Sequence, residues 1–251
     1  MKILPIYINP VLDGKPLSIH YGVKIETLHK SVLKDLQKLL KIPLEMLPIE
    51  YSTEIPVKQD GYQYSNEEYY SVIKDGSKHH EPDIFNHWNF IDKFHLVQRR
   101  LNGEFDEVHI YGGPFMGFHE SQMIGTSPIY CNSNPILASC PNFVIMGFNY
   151  ERGICEALEA FGHRTEFIFR FLYEDTWNVY SKHIGTIHEP FNTSKAYDWG
   201  SKQYGMYKGT QRANCELWGC DGYEYIKWWF KHLPSYVLDA TSHVERIGNV
   251  R

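Results

Sequence analysis

Between residues 143 and 172 the chain runs directly from an apolar strand into a long helix, FVIMGFNYERGICEALEAFGHRTEFIFRFL, and this unit constrains the fold more than any other stretch. The predicted helix begins at Tyr150. At about 100° per residue, Glu156, Glu159, His163 and Glu166 fall at i, i+3, i+7 and i+10, so one side presents three carboxylates and an imidazole. Two readings fit that spacing. One is a metal-ligand or acid–base cluster; the other is a solvated acidic face on an amphipathic helix, with His163 capping or packing.

The preceding half alternates the two kinds of element. Residues 2–8 predict a strand, 24–40 an amphipathic helix, 44–50 a second strand and 84–101 a further helix that stops at Asn102 and Gly103. Residues 107–111 form a short β-rich run entering a Gly112, Gly113, Pro114 turn, and 143–148 is the fourth strand. Four strands alternating with three long helices predict an α/β fold with a mainly parallel sheet and flanking helices. We expect one domain over residues 1–251, with 173–251 forming an irregular, aromatic-rich cap over the site and 223–232 its only helix. No repeat, low-complexity tract or linker divides it.

In open α/β sheets ligands settle beyond the carboxyl ends of the strands. Two such ends stand out, one leading into GGPFMGFHES from Gly112 and the other into GFNYERG from Gly147. If both strands are central and parallel, His119, Glu120, Asn149, Glu151 and Arg152 meet at one rim.

Composition excludes some functions. The formal net charge is −5, the 25 basic residues are scattered, and Arg99-Arg100 is the only Arg pair, so the footprint of a nucleic-acid binder is missing. No run approaches the roughly 18 apolar residues needed for a membrane span. The first ten residues are too short an apolar run for a signal-peptide core and read as a strand, so no export signal is visible. Five cysteines (131, 140, 155, 215 and 220) are too few for a disulfide scaffold in 251 residues; free buried thiols are expected, with local bridges as the alternative.

Several constellations compete. A zinc hydrolase needs about three N or O ligands, an open position for water and a carboxylate base. His163 and Glu166 supply an HxxE element, and His188 in the later GTIHEP segment would complete a two-His, one-carboxylate set. A metal-free alternative pairs carboxylates as glycosidases do, with Glu120, Glu151 and Glu156 available and many aromatic rings to stack on sugars. Ser121 in GFHES lacks the flanking glycines of a nucleophile elbow, and Cys155 within a helix reads as core. A phosphate reading of the segment NYERG lacks both glycine-rich fingerprints, and Glu151 suits the helix N-terminus without any ligand.

Four blocks, GEFDEVHIYGGPFMGFHES, MGFNYERGICEALEAFGHRTE, GTIHEPFNTSKAYDWG and CELWGCDGYEYIKWWFKHLP, resemble a largely uncharacterised family of bacterial, often exported, proteins. The likeness spans most of residues 55–234. It implies one domain and a mature form from which an export signal has been removed, and it directs attention to Glu120, Asn149, Glu151, Arg152, Glu156, His163, Glu166, His188, Asn192 and Asp198. It supplies no reaction.

The reading that joins these features is a hydrolase, zinc-dependent, acting on a peptide or amide. His163, Glu166 and His188 would hold the metal, Glu120 or Glu156 would activate water, and Arg152 would orient an anionic group or the oxyanion. His119, Asn149, Glu151 and Asn192 would contact substrate. Two alternatives stand beside it: a non-catalytic glycan- or peptide-binding module, and a metal-free glycosidase.

Overall fold

The computed structural model describes residues 1–187 and 222–249. Its frame is a seven-stranded sheet whose three longest strands are β1 (Lys2–Ile8), β6 (Glu107–Gly112) and β9 (Phe143–Asn149), mutually parallel and central. All six residues of β6 are buried, as are Val144, Ile145 and Met146 in succession, so these strands are covered on both faces. Ile6 pairs with Ile110 between β1 and β6, while Tyr111 pairs with Phe148, and Gly112 with Asn149, between β6 and β9.

The predicted strand at 44–50 is two short ones, β4 (Glu45–Met46) and β5 (Glu50–Ser52), which follow one another along the outer edge of β1. Pro48 falls between them and has no N–H to give the ladder. Two antiparallel two-residue strands, β2 (Val11–Leu12) and β3 (Lys15–Pro16), lead into a short helix α1 (Leu17–His20).

β7 (Ser121–Gly125) has no counterpart in the sequence reading. It lies antiparallel beside β9, with β8 (Ile136–Leu137) parallel to it at the sheet edge. Positive φ angles at Phe115 (58°) and Gly117 (77°) reverse the chain after β6 and set that direction. The sheet is therefore mainly parallel, with β7 and β8 at one edge running opposite to the rest.

Helix α2 (Ile25–Leu40) buries Ile25, His29, Val32, Leu33, Leu36 and Leu40, one stripe of its surface. Its C-terminus turns at Lys41 in the left-handed region. The helical run predicted over 84–101 is two helices, α4 (His87–Lys93) and α5 (Leu96–Leu101), separated by Phe94 and His95, the latter with φ of 51°. A nine-residue helix α3 (Asn66–Lys74), which the sequence reading omitted, carries a full capping box in which Ser65 and Glu68 exchange hydrogen bonds.

Helix α6 (Ile154–Leu172) begins four residues later than predicted and packs against α2. Beyond it the described C-terminal residues are helical rather than irregular: α7 (Glu174–His183), α8 (Gly222–Lys231) and α9 (Ser235–Ser242) all pack on α6. Rings from Phe169, Trp177, Tyr180 and Trp229 form the aromatic cluster there, and Tyr180 donates from its hydroxyl to the Trp229 carbonyl. Among the described residues no helix is long and apolar enough to cross a membrane.

Candidate active site

The parallel register of β6 and β9 brings the two predicted strand ends side by side, and α2 and α6 wall the space above them. A cavity of about 210 Å³ opens there. Its polar lining is Tyr111, Glu120, Asn149, Arg152 and Glu156, with Leu28 and Val32 of α2 supplying apolar wall. Gly147 makes room for it. A Cβ at that position would lie 2.5 Å from the His119 carbonyl oxygen and 2.6 Å from the Phe118 Cβ.

Each lining carboxylate is anchored at one oxygen. Asn132 donates its amide to Glu120 Oε2. Glu156 Oε2 accepts the Gly153 N–H at 2.9 Å, capping the start of α6.

The acidic side of α6 is not a solvated face. Glu156, Glu159 and Glu166 are only 7%, 3% and 9% exposed, so each must find a partner. His163 supplies one: its Nε2 stands 3.7 Å from Glu159 Oε1 and its Nδ1 3.4 Å from Glu166 Oε2. Glu166 Oε1 also accepts the Ile187 N–H at 2.6 Å. Burial pushes the His163 pKa down, but the hydrogen bonds of Glu159 and Glu166 and the charges of Glu120 and Glu166 outweigh it and raise it to about 10. The ring is an imidazolium at neutral pH, and Glu120 links its charge to the cavity.

Among the described residues no group of three or more His, Cys, Asp or Glu side chains is placed to hold a metal ion. His163 and Glu166 are neighbours as predicted, but they neutralise one another, while His188 and Asn192 lie outside the described residues, as do Asp198, Cys215 and Cys220.

His119 does not join the rim. Consecutive residues entering β7 point to different sides, and His119 faces a second cavity, stacked on His87 at 5.4 Å between ring centroids. Glu151 sits beside the first cavity rather than in it, and it is exposed. Ser121 is buried and donates to the Cys131 carbonyl, consistent with a structural residue. Among the described residues, Cys131 and Cys140 are buried free thiols.

Beneath the cavity lies a polar layer that the sequence reading missed. Tyr111, whose ring lines the cavity, is hydrogen bonded through its hydroxyl to His29 Nδ1 at 2.8 Å. The His29 ring meets His109 edge-on at 5.6 Å, His109 Nε2 stands 2.9 Å from Glu107 Oε1, and Glu107 accepts from Arg164 of α6. Burial, aided by the nearness of His109, lowers the His29 pKa to about 3, so that ring is neutral. Glu107 and His109, two apart on β6, share one face of the strand and were a local signal; what the sequence does not show is that His29 of α2 and Arg164 of α6 complete the layer.

No protein-family model matches the chain, and neither a curated protein nor a solved structure is found similar to it.

Proposed function

We propose that the chain is a hydrolase of a small amide substrate carrying an anionic group, using Glu120 as the base that activates water. The observation that carries this reading is that Glu120, Arg152 and the N-terminus of α6 open onto one cavity. Amide hydrolysis builds negative charge on the carbonyl oxygen, and Arg152 and the first turn of α6, both on the cavity wall, are the groups that would meet it. Glu156, tied to the Gly153 N–H, positions the helix end.

The test is turnover of a panel of N-acyl amino acids and related small amides by the native chain and by Glu120→Gln. Loss of a general base lowers kcat by about 10²–10⁴-fold with folding unchanged. Glu156→Gln, which keeps an oxygen to accept the Gly153 N–H, costs far less. Turnover retained in Glu120→Gln overturns the assignment. The zinc-dependent form of the same reading places a metal on His163, Glu166 and His188. Stoichiometric zinc in protein purified without added metal, with turnover lost on chelation, would favour that form over carboxylate catalysis.

A further inference from the structure

The second cavity, onto which His119 opens, has a chemistry of its own. It measures about 540 Å³, a size found among small-molecule clefts. Its walls come from α4, the start of β7 and the loop before β8, and among the described residues not one Asp, Glu, Lys or Arg lines it, although the chain has 55 such residues (25 basic and 30 acidic). His87 and His119 are the titratable imidazoles among its described lining residues. They stack with 9° between ring planes, and burial, with the nearness of His119, lowers the His87 pKa to about 3, so neither histidine brings a charge at neutral pH.

Two large rings remain open on this uncharged surface: Trp88 is 49% exposed and Tyr130 47%. Between them the wall is made of amides and a hydroxyl, Asn86, Gln122, Asn132, Ser133 and Asn134. Gln122 is the informative member. It is 94% buried; its Nε2 donates to the Asn134 carbonyl at 2.6 Å, and its Oε1 is buried with no hydrogen-bond partner among the described residues. An unpaired buried acceptor is costly, and a ligand hydroxyl would remove that cost.

We propose that this cavity is a binding groove for a neutral oligosaccharide, with the Trp88 and Tyr130 rings stacking on pyranose faces and Gln122 accepting from a sugar hydroxyl. Aromatic faces meet the C–H faces of a sugar, amides match its hydroxyls, and the lack of charge suits a ligand that has none. A peptide added to the sheet fits less well, because the edge strand at the groove, β8, offers only Ile136 and Leu137 for pairing. The groove stands apart from the hydrolase reading and does not depend on it. The two cavities share one side chain, since Asn132 lines this one and donates to Glu120 of the other.

The experiment is calorimetry and tryptophan fluorescence on the full chain with neutral di- and trisaccharides of glucose and N-acetylglucosamine, at low and at 0.5 M salt (about a 4–5 Å screening length). Sialylated trisaccharides and an uncharged tetrapeptide serve as comparisons. Saturable binding of a neutral sugar that salt leaves unchanged and that Trp88→Ala or Tyr130→Ala weakens about tenfold or more is the expected result. Both substituted rings are half exposed, so these variants fold. Binding is read in Glu120→Gln as well, which separates failure of the groove from failure of the hydrolase. No saturable binding of any neutral sugar, binding of the peptide alone, binding that salt abolishes, or affinity unchanged in both ring variants overturns the proposal.

Discussion

Removing Arg164 tests how the candidate site is held together. Its guanidinium is fully buried on α6, donating through Nη1 to the Glu107 carboxylate of β6 and through Nη2 to the Thr241 carbonyl of α9. It therefore ties the helix to the strand whose end carries Tyr111. In Arg164→Met a carboxylate that is 1% exposed keeps only His109, and an uncompensated buried charge of this kind costs about 3–5 kcal/mol. For a chain of this size that is a fall in Tm of about 6–20 °C, taking about 2–4 °C per kcal/mol. The double variant Glu107→Leu/Arg164→Met leaves no charge stranded and loses less than either single change. Urea unfolding followed by far-UV circular dichroism gives all four stabilities. Costs that add to within about 0.5 kcal/mol would refute the buried pair, since additivity is what independent sites show. The pair has a pH signature as well. Burial pushes the Glu107 carboxyl up, but the charge of Arg164 and the contact with His109 outweigh it and leave the pKa below its ordinary value. A depressed carboxyl stabilises the fold above its unfolded pKa, about 4.3, and that contribution fades as pH falls through the lower folded value. Glu107→Gln is expected to lose this acid-dependent part.

Two further outcomes follow from the site. The His163 pKa, raised to about 10, stabilises the fold fully below the unfolded value near 6.5 and loses that contribution as pH rises through about 10; NMR titration should find the ring protonated at pH 8, and His163→Gln should flatten the alkaline decline in stability. A ring that titrates near 6.5 would remove the imidazolium from the site. Gly147→Ala places a methyl 2.5 Å from the His119 carbonyl and should cost about 1–3 kcal/mol by overpacking while narrowing the cavity, read as a lower denaturant midpoint and weaker substrate binding; a neutral effect on both would show that the β7 entry yields easily.

The candidate site was legible in part. Strand-to-helix order placed two carboxyl ends together, which was enough to bring Glu120, Asn149, Arg152 and Glu156 to one cavity, because parallel strands in adjacent register must end on the same side. His119 is expected at the same rim but opens onto the second cavity beside His87, while Glu120 faces the first; both precede β7, and strand order does not fix side-chain direction in a segment outside any regular element.

The amino-acid sequence by itself determined the class of fold, since apolar strands alternating with amphipathic helices have few ways to bury both. It also determined the periodicity that puts Glu156, Glu159, His163 and Glu166 along α6. What that row means was decided only by tertiary structure. A helical repeat fixes which residues share a side, yet whether that side meets water or the interior depends on elements distant in the chain. Here α2, α7, α8 and α9 pack around α6, the carboxylates lose solvent, and His163 takes up a proton to balance them. The spacing was compatible with a solvated acidic face; burial and pairing make it an ion cluster beside the cavity, because a charge removed from water must find its opposite nearby.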